Sequence, residues 1–140
     1  MGKKPRTSFH EEVMARFRFL VDELGASNPT IDDRLIPCVR YDGKGFGYSV
    51  VMEERSVVVS VILPTPENSS YVSADLHEIV NAAALAPRQS VLLSAGTSQA
   101  MLRSLDSQAG WVRVVHPLIV GAGGAALLRR ARGGDLTPGE

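Results

Sequence analysis

The stretch Pro37-Cys38-Val39-Arg40-Tyr41-Asp42-Gly43-Lys44-Gly45-Phe46-Gly47-Tyr48-Ser49-Val50-Val51-Met52-Glu53-Glu54-Arg55-Ser56-Val57-Val58-Val59-Ser60-Val61-Ile62-Leu63 decides the fold. It holds three runs rich in β-branched and aromatic residues, divided by two short polar breaks. The first break, Asp42-Gly43-Lys44-Gly45, is a glycine-spaced hairpin turn. The second, Glu53-Glu54-Arg55, is short and wholly charged. Parallel neighbours need a crossover of about a dozen residues, so breaks this short predict an antiparallel β-meander of three strands, Pro37–Tyr41, Phe46–Met52 and Ser56–Leu63. The third run is so continuously apolar that it reads as a central strand covered on both faces.

Upstream, Ser8-Phe9-His10-Glu11 forms a capping box, and Val13, Phe17, Leu20 and Leu24, joined by Met14 and Val21, recur at three- and four-residue steps. A helix is predicted there, closed by Gly25. Ser27-Asn28-Pro29 ends it, and Asp32–Ile36 reads equally as a loop turn or as the lead-in to a strand.

Downstream, 64–70 is the longest loop signal. Ser73 as cap, Asp75 in the first turn, then Leu76, Ile79, Val80, Ala83 and Ala84 predict a second helix, stopped before Pro87. A third runs from Thr97 through Met101, Leu102, Leu105, Ala109 and Val112. The segment Val112–Val120 favours strand by its valines and helix by its neighbours; it is taken as helix with a break at Pro117. Leu127, Leu128 and the arginines after them form a short last helix, capped by Gly133-Gly134. The expected architecture is α+β, with the order αβββααα, in one domain spanning 1–140 with frayed tails at 1–7 and 135–140.

A chain of 140 residues that is 44% apolar and 21% charged can bury a core of its own. Fifteen basic residues balance fifteen acidic ones, which argues against steering toward nucleic acid or an anionic membrane. Lys3, Lys4 and Arg6 at one end, and Arg129, Arg130 and Arg132 at the other, read as solvated chain ends. Cys38 is the sole cysteine, so an internal disulfide and a four-cysteine metal site are excluded and a reducing cytoplasm is expected. No signal peptide is expected, because the basic start leads into Ser8, His10, Glu11 and Glu12. The longest apolar stretch, Pro117–Leu128, is too short to span a bilayer.

No motif assembles a catalytic site. Gly121-Ala122-Gly123-Gly124 follows Leu118-Ile119-Val120 in the manner of a dinucleotide fingerprint, yet no second parallel strand can follow it; small residues allowing close helix approach explain it better. His10, His77 and His116 are too scattered for a metal set, and His77 and Glu78, as sequence neighbours on a helix, point in different directions. Cys38 would need a histidine supplied by the fold before it served as a nucleophile, and is read as a small core residue. Glu53 and Glu54 face opposite sides of a strand end. Tyr41, Phe46 and Tyr48 beside Arg40 and Lys44 resemble a stacking platform for nucleic acid, but alternation puts Phe46 and Tyr48 on one face that serves equally as the core side. Cys38, Arg40, Tyr41, Phe46, Tyr48, Glu53 and His77 are therefore the candidates for a pocket or an interaction surface. Catalytic, cofactor-binding and metal-ligating residues are expected to be none.

The order Phe19-Leu20-Val21-Asp22-Glu23-Leu24-Gly25, Val39-Arg40-Tyr41, Phe46-Gly47-Tyr48-Ser49-Val50-Val51-Met52-Glu53, the valine strand and Ser73-Ala74-Asp75-Leu76 resembles small bacterial proteins, some of them immunity-like partners of toxins. The resemblance covers residues 8–85 and implies a binding role without assigning it to any residue. The expected function is a non-catalytic protein-interaction module, toxin-neutralising or regulatory, with another protein or a second copy as partner. The alternative is a small enzyme or ligand-binding protein with Cys38, His77, Glu53 and Tyr48 lining a pocket between sheet and helices.

Overall fold

The computed structural model describes residues 8–65 and 70–132. Strands β2 (Cys38–Gly43), β3 (Phe46–Glu53) and β4 (Ser56–Pro64) form the expected meander, joined by two-residue turns at Lys44-Gly45 and Glu54-Arg55. Each turn needs a left-handed residue: Gly45 has φ 83° and Glu54 has φ 42°.

A three-stranded sheet is nevertheless incorrect, because a strand is added at each edge and the order is β1-β2-β3-β4-β5, antiparallel throughout. On one side β1 (Thr30–Ile31) pairs with Arg40 and Val39. On the other, β5 (Tyr71–Asp75) pairs Val61 with Ala74 and Leu63 with Val72. The segment read as a helix start at Ser73 is thus a strand. Val72 and Ala74 point inward while Tyr71 and Ser73 are exposed, a period of two. Helix α3 (Leu76–Ala82) begins only after it, with Asp75 as N-cap.

The N-terminal stripe folds as α1 (Phe9–Arg16) and α2 (Arg18–Asp22), interrupted at Phe17. The capping box is present: Ser8 Oγ accepts from the Glu11 amide, and Glu11 Oε1 accepts from the Ser8 amide. Gly25 closes the segment at φ 87°. Helix α4 (Ser98–Ile119) is longer than the predicted third helix and continues through Pro117. That proline is exposed, so the carbonyl it frees on Arg113 can turn to water, and the expected break does not occur. The β-branched residues that favoured a strand instead divide by helical period, with Val112, Val115 and Ile119 buried. Helix α5 (Gly124–Ala131) follows a tight reversal. There a Cβ on Gly124 would collide with the Ile119 carbonyl oxygen. Close backbone approach, not a phosphate, accounts for that glycine. The tails 1–7 and 135–140 and the Gly133-Gly134 cap lie outside the described residues.

One core lies between the helices and one face of the sheet. Val39, Tyr41, Phe46, Tyr48, Val50, Val57, Val59 and Val61 meet Val13, Leu20, Leu76, Ile79, Leu105, Val112 and Leu128 there. The valine strand is not covered on both faces: Val57, Val59, Val61 and Leu63 are buried, whereas Ser56, Val58, Ser60 and Ile62 are only partly so. Among the described residues no helix is long and apolar enough to cross a membrane.

Gln108 solves a ladder problem. Because β5 reaches only as far as Ser60, the β5-facing edge of β4 from Val57 to Val59 has no strand partner. The fully buried Gln108 amide supplies one: Oε1 accepts from the Val59 amide at 3.0 Å, and Nε2 donates to the carbonyls of Val57 and Leu92, each at 2.8 Å. The Val57 amide donates to the Leu93 carbonyl at 2.8 Å, completing the edge.

Candidate interaction face

Strand parity divides the candidate residues. Tyr41, Phe46 and Tyr48 point into the core and are at most 8% exposed. The exposed aromatic platform is therefore overturned, since the helices cover that face. Tyr48 Oη lies 2.8 Å from Nδ1 of the buried His116, and the Phe46 ring meets His116 edge-on at 4.8 Å. Burial holds His116 neutral by lowering its pKa from 6.5 and raises that of Tyr48 well above 10. Tyr41, also buried, is pushed up to about 12, and its hydroxyl has no partner. These groups are polar atoms of the buried core.

Cys38, Arg40 and Glu53 lie on the opposite, helix-free face. Cys38 is half-buried, and burial, reinforced by the Asp32 carboxylate, pushes its thiol up. That disfavours the thiolate a nucleophile needs. Glu53 is exposed at the end of β3, pairing backbone to backbone with Ser56. His77 sits on α3, which packs against β4 and β5, whereas Cys38 lies on β2, three strand positions from β5 in the sheet. His77 Nε2 meets Glu78 at 3.5 Å, so those neighbours do touch, contrary to expectation, while its buried Nδ1 has no partner. The set Cys38, His77, Glu53 and Tyr48 does not converge. Among the described residues no three His, Cys, Asp or Glu side chains could hold a metal ion.

What the fold does bring together is a surface. The register aligns the outward residues in rows across the strands: Cys38-Val51-Val58, then Thr30-Arg40-Ser49-Ser60-Asp75, then Asp42-Gly47-Ile62-Ser73, then Pro64-Tyr71. A polar stripe crosses the middle, with apolar groups on both sides. Along the stripe Arg40 donates to Asp42 at 3.1 Å, and Ser60 Oγ donates to Asp75 at 2.8 Å.

Each apolar flank contains an open depression. One, of about 510 Å³, is lined by Asp32, Arg34, Leu35, Ile36, Cys38 and Val51. The other, of about 530 Å³, lies over Gly47 and is bounded by Arg40, Asp42, Ile62, Pro64 and Tyr71. Leu35 is 94% exposed and Tyr71 73%, large apolar groups that a lone domain would bury at a gain. At the rim Arg34 forks onto Asp32 at 3.0 and 2.8 Å and holds that carboxyl at about 2.

Sequence reasoning placed Cys38, Arg40 and Glu53 among the candidates but missed Val51, Val58, Ile62, Tyr71 and Leu35. Alternation within β4 carried the signal for Val58 and Ile62, but the unbroken valine run concealed it. Comparison with protein-family models, with curated proteins and with solved structures finds no match.

Proposed function

We propose that the chain is a non-catalytic protein-interaction module that binds its partner through the helix-free face of the sheet. The observation carrying this reading is the pair of apolar flanks around the Arg40–Asp75 stripe, with Leu35 and Tyr71 left largely in water and Ile36 partly so. Apolar patches set about a polar line offer both burial and register to a protein surface. The scatter of Cys38, His77 and Tyr48 across both faces of the sheet supports a binding role over an enzymatic one. A toxin-neutralising or regulatory role fits the resemblance drawn from residues 8–85, and a reducing cytoplasm suits the single free thiol.

The test is affinity capture of the tagged chain from its native host, set beside the Ile62→Glu variant. The expected result is a protein recovered with the wild type and lost with the variant, which places a charge on the face without touching the core. Equal recovery by both, or no partner under several growth conditions, contradicts the proposal.

A further inference from the structure

We infer that the partner of the helix-free face is a second copy of this chain, stacked sheet to sheet about a two-fold axis parallel to the strands. The inference rests on reading that face as an interaction surface, and the rows of the sheet determine the orientation. In the central stripe Arg40 on β2 and Asp75 on β5 stand at equal distances either side of the line between β3 and β4, each one and a half strand spacings away, about 7 Å. Rotation by 180° about an axis along that line, midway between two stacked sheets, exchanges left and right while preserving position along the strands. It therefore sets Arg40 of each copy over Asp75 of the other. Ser49 falls over Ser60, and Val51 over Val58.

The next row is complementary in shape. Ile62 falls over Gly47 of the second copy, the one outward position on β3 without a side chain, where the depression of about 530 Å³ lies. A two-fold axis running across the strands through the same row would instead set Arg40 over Arg40 and Asp75 over Asp75, and the like-charge contacts disfavour it. The chosen arrangement is isologous, so each match occurs twice, and stacked sheets about 10 Å apart leave room for an arginine to reach a carboxylate. Arg40, with 43% of its side chain exposed, would share its guanidinium between Asp42 of its own chain and Asp75 of the other.

Four strands at about 4.8 Å, by six residue steps at about 3.3 Å, give a footprint of about 380 Å² in projection. That is about half the ~800 Å² each partner buries in a stable complex, so the association is expected to be weak and concentration-dependent.

Sedimentation equilibrium from about 5 to about 500 µM tests it. The wild type should pass from monomer to dimer across that range. Arg40→Asp and Asp75→Arg should each raise the dissociation constant at least about tenfold, because each sets two like-charge pairs face to face. An equimolar mixture of the two variants should recover wild-type association, since opposite charges then meet; recovery also shows that both variants are folded. A wild type that stays monomeric throughout overturns self-association, while the face as a docking surface stands or falls on the Ile62→Glu capture. A dimer indifferent to both variants, or a mixture that fails to recover, overturns the arrangement.

Discussion

Replacing Gln108 by leucine tests whether a side chain stands in for a missing strand. The substitution keeps volume and apolar contact but removes three hydrogen bonds, those to the Val59 amide, the Val57 carbonyl and the Leu92 carbonyl. Water cannot replace the two to β4, because Gln108 is fully buried and Val57 and Val59 have no accessible surface, whereas the carbonyl of the exposed Leu92 can turn to water. Each orphaned buried group costs about 1–3 kcal/mol, with a carbonyl toward the low end because its second lone pair tolerates poorer geometry. For the Val59 amide and the Val57 carbonyl the sum is about 2–4 kcal/mol, a large share of the ~5–15 kcal/mol that stabilises a domain. In urea, with a slope of about 1–3 kcal/mol/M, the midpoint should fall by one or more molar with the slope unchanged. Ser107→Ala serves as the control. It deletes only the bond to the Leu92 amide at an exposed site and should cost less than about 1 kcal/mol. A Gln108→Leu unfolding free energy within about 0.5 kcal/mol of wild type would show that the edge of β4 needs no such partner.

Three further outcomes follow from the geometry. Folded His116 has its pKa lowered by burial, so below pH 6.5 the unfolded chain binds more protons and stability falls with acid; His116→Gln should flatten that slope, and an unchanged slope would remove His116 as its source. Asp32 should titrate by NMR near 2 in the wild type and return toward 3.8 in Arg34→Ala; a midpoint that does not move would refute the fork. Gly124→Ala should cost about 2 kcal/mol or more in thermal unfolding because its Cβ meets the Ile119 carbonyl, whereas Gly123→Ala, with nothing within 4 Å, should be close to neutral. Equal effects of the two would show that the α4–α5 reversal can relax.

Signals confined to a few adjacent residues were legible in the sequence. The Ser8–Glu11 box, the left-handed Gly25 and the two hairpin turns are local chemistry, and each yields its element without reference to the rest of the chain. The edge strands were not legible. Thr30–Ile31 is too short to show a period, and in Tyr71–Asp75 the cap-like Ser73 and Asp75 are outward positions of a strand. Val112–Val120 was ambiguous because β-branched residues suit a strand by propensity, while burial against the sheet selects the helical face of Val112, Val115 and Ile119. The candidate site was half legible for a related reason. Alternation shows which residues share a face, but the face that meets water is decided by where the helices lie, and that sent Tyr41, Phe46 and Tyr48 inward while leaving Arg40 outside.

The central claim, that the helix-free face is where this protein binds, is tested most directly by methyl NMR as the chain is concentrated from about 10 to about 500 µM. Val51, Val58 and Ile62 should shift together while Leu105 and Val112 in the core stay fixed. If the shifts fall instead on Val114 and Leu118, the exposed apolar residues of α4, the interaction surface is that helix and the account is wrong.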